Sequence, residues 1–232
     1  MKFLQYVDSE EVFNRNMNDP ERRRLLELNN WTKDNITYTV NSHGFRSEEF
    51  RENGILFLGC SLTHGLGLAL EDTWVYQVAN KLNSHYANLG TPVYGGDGCY
   101  RLAREYIPKL KPKMVFYLSP SKNRFEIKLS TGKHQPISVE LLHPLIVPKH
   151  KEIGIDKYIP FITDWFMEEE NSQLNYEKNL IAIQSLCRDI PFYHLSTEDT
   201  LLPKDDTDLA RDLQHPGRRW QRSIADKFIK ML

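Results

Sequence analysis

Cysteine is scarce in this sequence and awkwardly spaced for structural use. There are three, Cys60, Cys99 and Cys187; an odd number with no CxxC pair argues against a disulfide framework and against a zinc cage. A reducing interior is the simpler home. Charge of one sign is lacking as well: 30 Lys and Arg stand against 31 Asp and Glu, a formal net charge of -1, so no global field steers the chain toward nucleic acid or an anionic membrane. The local runs Arg22-Arg23-Arg24 and Arg218-Arg219 read as solvated faces. No apolar stretch approaches the length of a membrane span, and the apolar start of MKFLQYVDSEEVF breaks at Asp8 and Glu10, too soon for the core of a secretory signal. The expectation is a cytoplasmic protein without nucleic-acid or membrane partners. Also missing are GxxxxGK[ST], internal repeats and low-complexity tracts, and Gly65-Leu66-Gly67 is only half of a dinucleotide fingerprint.

What is present suits one domain. A chain of 232 residues, 40% of them hydrophobic, can bury one sizeable core. Short apolar runs alternate with stretches of helical period, the pattern of a parallel sheet covered by helices on both faces. Strands are expected at Ile55–Leu58, Tyr86–Leu89, Met114–Leu118 and Phe192–Leu195. Between them Trp74, Val75, Val78, Ala79 and Leu82 share one helical face, as do Leu102, Ala103, Tyr106, Ile107 and Leu110. Tyr176, Leu180, Ile183 and Cys187 form a third stripe, broadened by Ile181 and Leu186. Crossovers of this kind are right-handed βαβ units. Residues 1–50 are polar, with a helix-like stretch at Pro20–Leu28, and read as an extension packed on a domain of residues 51–232; about 127–170, rich in proline and aromatic groups, read as an insertion near the strand ends. Within it Tyr158, Phe161, Trp165 and Phe166 suit either a core or a substrate cleft.

Polar chemistry concentrates where the first strand ends. In ILFLGCSLTHGLGL the apolar run Ile55–Leu58 passes through Gly59 and Cys60 to Ser61. In an open α/β sheet a side chain just past a central strand is aimed at the crevice where ligands bind. A sharp strand-to-helix turn also leaves N–H groups free to face an oxyanion. Gly59-Cys60-Ser61-Leu62-Thr63 is not GxSxG, however, and serine is also a good helix N-cap, so the stretch alone fits a nucleophile and a plain structural turn equally. Near the other end Asp212-Leu213-Gln214-His215-Pro216 sets a carboxylate three residues before a histidine, close enough to hold the imidazole tautomer that accepts a serine proton. Glu140 and His143 repeat the spacing, but ahead of the fourth strand. His64, one helical turn past Ser61, reads as a substrate or structural contact, and Cys60 as a small packed thiol.

An early serine at a strand end, paired with Asp-x-x-His before the last amphipathic helix, resembles the SGNH or GDSL-like hydrolase superfamily. GCSLTHGLG is similar to its first block, with Cys60 where the family name records aspartate. Tyr94-Gly95-Gly96-Asp97-Gly98 is similar to the second, Ser121-Lys122-Asn123-Arg124 to the third, where serine and arginine replace the usual flanking glycine and aspartate. Asn41-Ser42-His43-Gly44-Phe45-Arg46 is similar to a segment of some branches that packs beside the core. The resemblance implies a three-layer α/β/α sandwich with a mainly parallel sheet, SGNH-hydrolase-like and flavodoxin-like. It implies a Ser61-His215-Asp212 triad, an oxyanion hole of the Ser61 and Gly96 N–H groups with the Asn123 side chain, and no metal or organic cofactor. The implied activity is that of a serine esterase, and the resemblance allows acetylated carbohydrate, short acyl esters, thioesters or lipids; the insertion, read as polar and proline-rich without a long apolar face, turns the expectation to a short acyl ester on a small molecule or a carbohydrate. The alternative is an inactive binding or structural module that keeps the fold.

Overall fold

The computed structural model of the chain describes residues 1, 8–143, 150–198, 200 and 207–232. Part of the N-terminal stretch read above for a signal, and residues 144–149 of the expected insertion, lie outside the described residues. No described helix is long and apolar enough to cross a membrane.

Two helices come first, α1 (Glu10–Asn18) and α2 (Pro20–Leu28). The Ser9 and Asp19 side chains cap them by accepting the N–H groups of Val12 and Arg22, and Pro20 presets the first turn of α2. Then follow β1 (Ile55–Leu58), α3 (Ser61–His64), α4 (Trp74–Lys81), β2 (Tyr86–Asn88), α5 (Gly96–Leu110) and β3 (Met114–Ser119). An antiparallel hairpin, β4 (Arg124–Lys128) with β5 (His134–Ser138), precedes α6 (His150–Ile153), α7 (Ile159–Met167) and α8 (Glu169–Leu186). Strand β6 (Phe192–Ser196) and helix α9 (Arg218–Ile229) complete the order.

The central sheet is parallel, in the order β2-β1-β3-β6. Each expected strand is found, to within a residue at its end. Helices α4 and α9 cover one face, where Trp74, Val78, Ile224 and Phe228 bury against Phe57 and Phe116. Phe57, Phe116 and Tyr193 are register neighbours on successive strands, and their rings stack at centroid spacings of 5.4 and 5.0 Å. The opposite face packs Leu56, Leu58, Val115 and Tyr117 against α5 and α8. The architecture is therefore a three-layer α/β/α sandwich. The hairpin and α7 form a satellite cluster in which Phe125 and Ile137 meet Ile162, Tyr158, Trp165 and Phe166, while Phe161 is half exposed.

One stripe needs correcting. Ile181 was expected to broaden the buried face of α8, yet it is 63% exposed. The inward face instead carries Ser172, Asn175 and Asn179 beside Ile183, because two of those amides are needed by a carboxylate on α5 described below.

Gly59 sets how tightly β1 can turn into α3. A Cβ there would lie 2.0 Å from Thr63 Oγ1 and 2.8 Å from the Leu118 carbonyl oxygen, so even a methyl group forces the strand end and the helix apart. Gly59→Ala should lower stability by about 2–3 kcal/mol, read as a fall in the urea midpoint at unchanged slope.

Candidate active site

Ser61 begins α3 directly beyond the bend, at the carboxyl end of β1. As a first-turn residue it has an N–H with no intrahelical acceptor, whereas the N–H groups of Thr63 and His64 both go to the Cys60 carbonyl. The Cys60 thiol is buried and 4.0 Å from the Ser61 hydroxyl. His215 Nε2 stands 2.9 Å from Ser61 Oγ, and His215 Nδ1 stands 2.5 Å from Asp212 Oδ2. An ionised carboxylate only accepts, so Nδ1 carries the proton and Nε2 is left to accept from the serine hydroxyl.

The loop bearing the acid and the imidazole is built locally. Asp212 Oδ1 accepts the N–H groups of Gln214 and His215, each at 3.1 Å, which makes the carboxylate the centre of the turn as well as the partner of the ring. Leu213 takes a φ of +57° so that the chain can double back. Ala210 N–H donates to the His215 carbonyl at 2.9 Å, and Leu209 bridges to Pro216. Beyond it, Asp208 accepts the N–H groups of Arg219 and Trp220 and so supplies the cap that Gly217 cannot offer α9. Asp208 went unread in the sequence because it sits ten residues from the helix it caps.

Gly96 is the first residue of α5, with its N–H likewise outside the helical ladder. Its neighbour Asp97 was passed over: Oδ1 accepts from Asn179, and Oδ2 accepts from Asn175 and from the Glu126 N–H, all at 3.0 Å. That carboxylate ties the start of α5 to α8 and β4; acid in the first turn of a helix is the signal that could have found it. Asn123 lies exposed in the turn from β3 to β4, its N–H donating to Ser121 Oγ at 3.3 Å. Glu198 steadies that turn by accepting from Ser121 Oγ and the Lys122 N–H. Arg124 opens β4. The hydroxyl, imidazole and carboxylate thus meet in one hydrogen-bonded chain, with Gly96 and Asn123 on elements that start or end at the same rim of the sheet.

The other histidines are elsewhere engaged. Glu140 lies in a short turn after β5 with His143 exposed beside it. His64 is buried, its Nδ1 is 3.3 Å from the Gly90 carbonyl and its Nε2 meets no partner among the described residues. It lines a cavity of about 220 Å³ with Phe45, Pro92 and Tyr94. Burial, with the Arg46 guanidinium nearby, pulls its pKa from 6.5 down to about 4. Above pH 6.5 the ring is neutral folded or unfolded; below it the unfolded chain takes up a proton that the folded one refuses, so stability falls as pH drops toward 4. The parent should therefore lose on the order of 3 kcal/mol more than His64→Gln between those limits, measured by urea unfolding at stepped pH.

No family model and no curated protein matches this chain. Among solved structures it is similar to an acetyl xylan esterase from the rumen bacterium Butyrivibrio proteoclasticus, at 15% identity and TM-score 0.43, over 80% of this chain and 64% of that one. It is similar to a lipase/acylhydrolase from Enterococcus faecalis, at 19% identity and TM-score 0.38, over 77% and 94%. It is also similar to a GDSL-like lipase from Bacteroides thetaiotaomicron, at 14% identity and TM-score 0.34, over 76% and 85%. All three are esterases or lipases by description.

Proposed function

We propose that the chain is a serine hydrolase of the SGNH/GDSL type that cleaves a short acyl ester, carried on a small molecule or a carbohydrate. The observation that supports this reading is the unbroken run from Ser61 Oγ through the His215 ring to Asp212, with spacings of 2.9 and 2.5 Å. Asp212 is fully buried and His215 only partly so, which leaves the imidazole open to substrate and the carboxylate shielded from water. Shielding matters because the attraction between Asp212 and a developing imidazolium is stronger where the dielectric is low.

In this mechanism Ser61 Oγ attacks the ester carbonyl carbon while its proton passes to His215 Nε2. The carbonyl oxygen becomes an oxyanion that takes hydrogen bonds from the Ser61 and Gly96 N–H groups and the Asn123 side-chain amide. Asp212 holds the Nδ1 proton and stabilises the imidazolium. The tetrahedral species collapses with loss of the alcohol, which receives the proton from His215. Water, deprotonated by the same ring, then attacks the acyl carbon; the bond to Ser61 Oγ breaks, His215 returns its proton to that oxygen, and the acid leaves.

With p-nitrophenyl acetate, Ser61→Ala and His215→Ala should each lower kcat by roughly four to six decades. Asn123→Ala should lower it by about two to three, with little change in KM. A fluorophosphonate probe should label the parent at Ser61 and leave Ser61→Ala untouched. A parent that neither labels nor turns over would overturn the esterase reading and favour a binding or structural module.

A further inference from the structure

The N-terminal segment reaches the catalytic loop through groups that the proposed mechanism does not use. Arg211, next to Asp212, sends Nε and Nη2 to the two carboxylate oxygens of Asp8 at 3.0 and 2.8 Å; both side chains are essentially inaccessible to solvent. Tyr38 Oη donates to Asp8 Oδ2 at 2.5 Å and accepts the Gly67 N–H at 2.8 Å. Gly67 in turn offers its carbonyl to the Arg211 N–H at 2.9 Å. The four residues therefore close a ring of hydrogen bonds: Tyr38 to Asp8, Asp8 to Arg211, Arg211 to Gly67, Gly67 back to Tyr38.

The ring joins three parts of the chain. Gly67 belongs to the loop that leaves α3, six residues past Ser61. Arg211 belongs to the loop that carries Asp212 and His215. Asp8 and Tyr38 come from the segment before β1, and other bonds from that segment run the same way: Trp31 Nε1–H donates to the Leu209 carbonyl at 2.8 Å, and Arg211 reaches the Thr32 and Lys33 carbonyls at 3.4 Å. Arg46 stacks over the Tyr38 ring at 4.5 Å and donates to the Gly65 and Leu68 carbonyls, so the loop after α3 is gripped on both sides of Gly67. Burial and the adjacent Asp8 carboxylate hold the Tyr38 hydroxyl well above the ordinary phenol range, so it keeps its proton and donates it to Asp8.

We propose that Asp8, Tyr38 and Arg211 are positioning residues: they set the distance between the Ser61 hydroxyl and the His215 ring by locking the loop after α3 onto the loop that carries the acid and the base. The proposal rests on the esterase reading of that site. Its content is directional, since an apolar cluster of equal volume would hold the two loops together without fixing their register.

Two variants separate register from mere cohesion. Tyr38→Phe removes only the hydroxyl that joins Gly67 to Asp8. The double variant Asp8→Leu/Arg211→Met replaces the buried ion pair by apolar groups of similar bulk, an exchange that folded proteins often accept without loss of stability. Both should show a kcat on p-nitrophenyl acetate lower by roughly ten- to a hundredfold, the scale of an ångström-sized misplacement, with KM unchanged. The rate of fluorophosphonate labelling at Ser61 should fall by the same factor, measured well below each variant's melting temperature. Either variant, folded and turning over within twofold of the parent, would overturn the proposal while leaving the esterase reading intact. A parent no faster than Ser61→Ala would remove both together.

Discussion

The site depends on one close approach of backbone to backbone. Gly67 lies so near the tail of the chain that a Cβ would stand 2.9 Å from Ala210 Cβ, 3.1 Å from the Arg211 nitrogen and 3.3 Å from that of Asp212. Its φ of +71° is one that glycine reaches without cost. Through that contact a hydroxyl and an imidazole 154 residues apart in the chain come within hydrogen-bonding distance. The strand-to-helix bend at Gly59 aims the serine, and the approach at Gly67 sets the tail beside it.

Apolar and polar interactions divide the work. The ladder Phe57, Phe116, Tyr193, closed above by Trp74 and Phe228, removes large rings from water, each contributing about 1.5–3 kcal/mol. It holds the sheet to its helices. The buried pair Asp8–Arg211 contributes differently: stripping two charges of water costs several kcal/mol each, and their attraction and added hydrogen bonds about offset that cost. Net stability from such a pair is small, and its geometric demand is large. Asp97 also makes a geometric demand: its three hydrogen bonds fix the start of α5 against α8 and β4.

How much of this could be read in the sequence follows from the range of each interaction. The strands and the helices between them announce themselves by period, and Asp212 with His215 by a spacing of three. The serine was visible because glycine and a buried strand frame it. Long-range polar pairings have no period: nothing near Asp8 points to Arg211, and nothing near Asp208 points to the helix it caps. Asn175 and Asn179 look like the solvated side of a helix until Asp97 is placed beside them, which is also why Ile181 was assigned to the wrong face. Polar residues 1–50 read as a wrapping extension; that Tyr38 and Trp31 reach the segment Leu209–Asp212 and the loop after α3 could be learned only in three dimensions.

The tight turn from Ala210 to Pro216 carries a consequence of its own. Carboxylate and imidazole are tied within it by the Ala210–His215 bond and by two amides on Asp212, so their mutual geometry is a property of a few consecutive residues. Only the gap to the hydroxyl belongs to the tertiary structure. On the proposed chemistry, turnover is thus a gauge of whether the C-terminal tail is docked: a molecule whose sheet is intact but whose tail has lifted away would keep its acid and its base correctly mated and have nothing for them to activate.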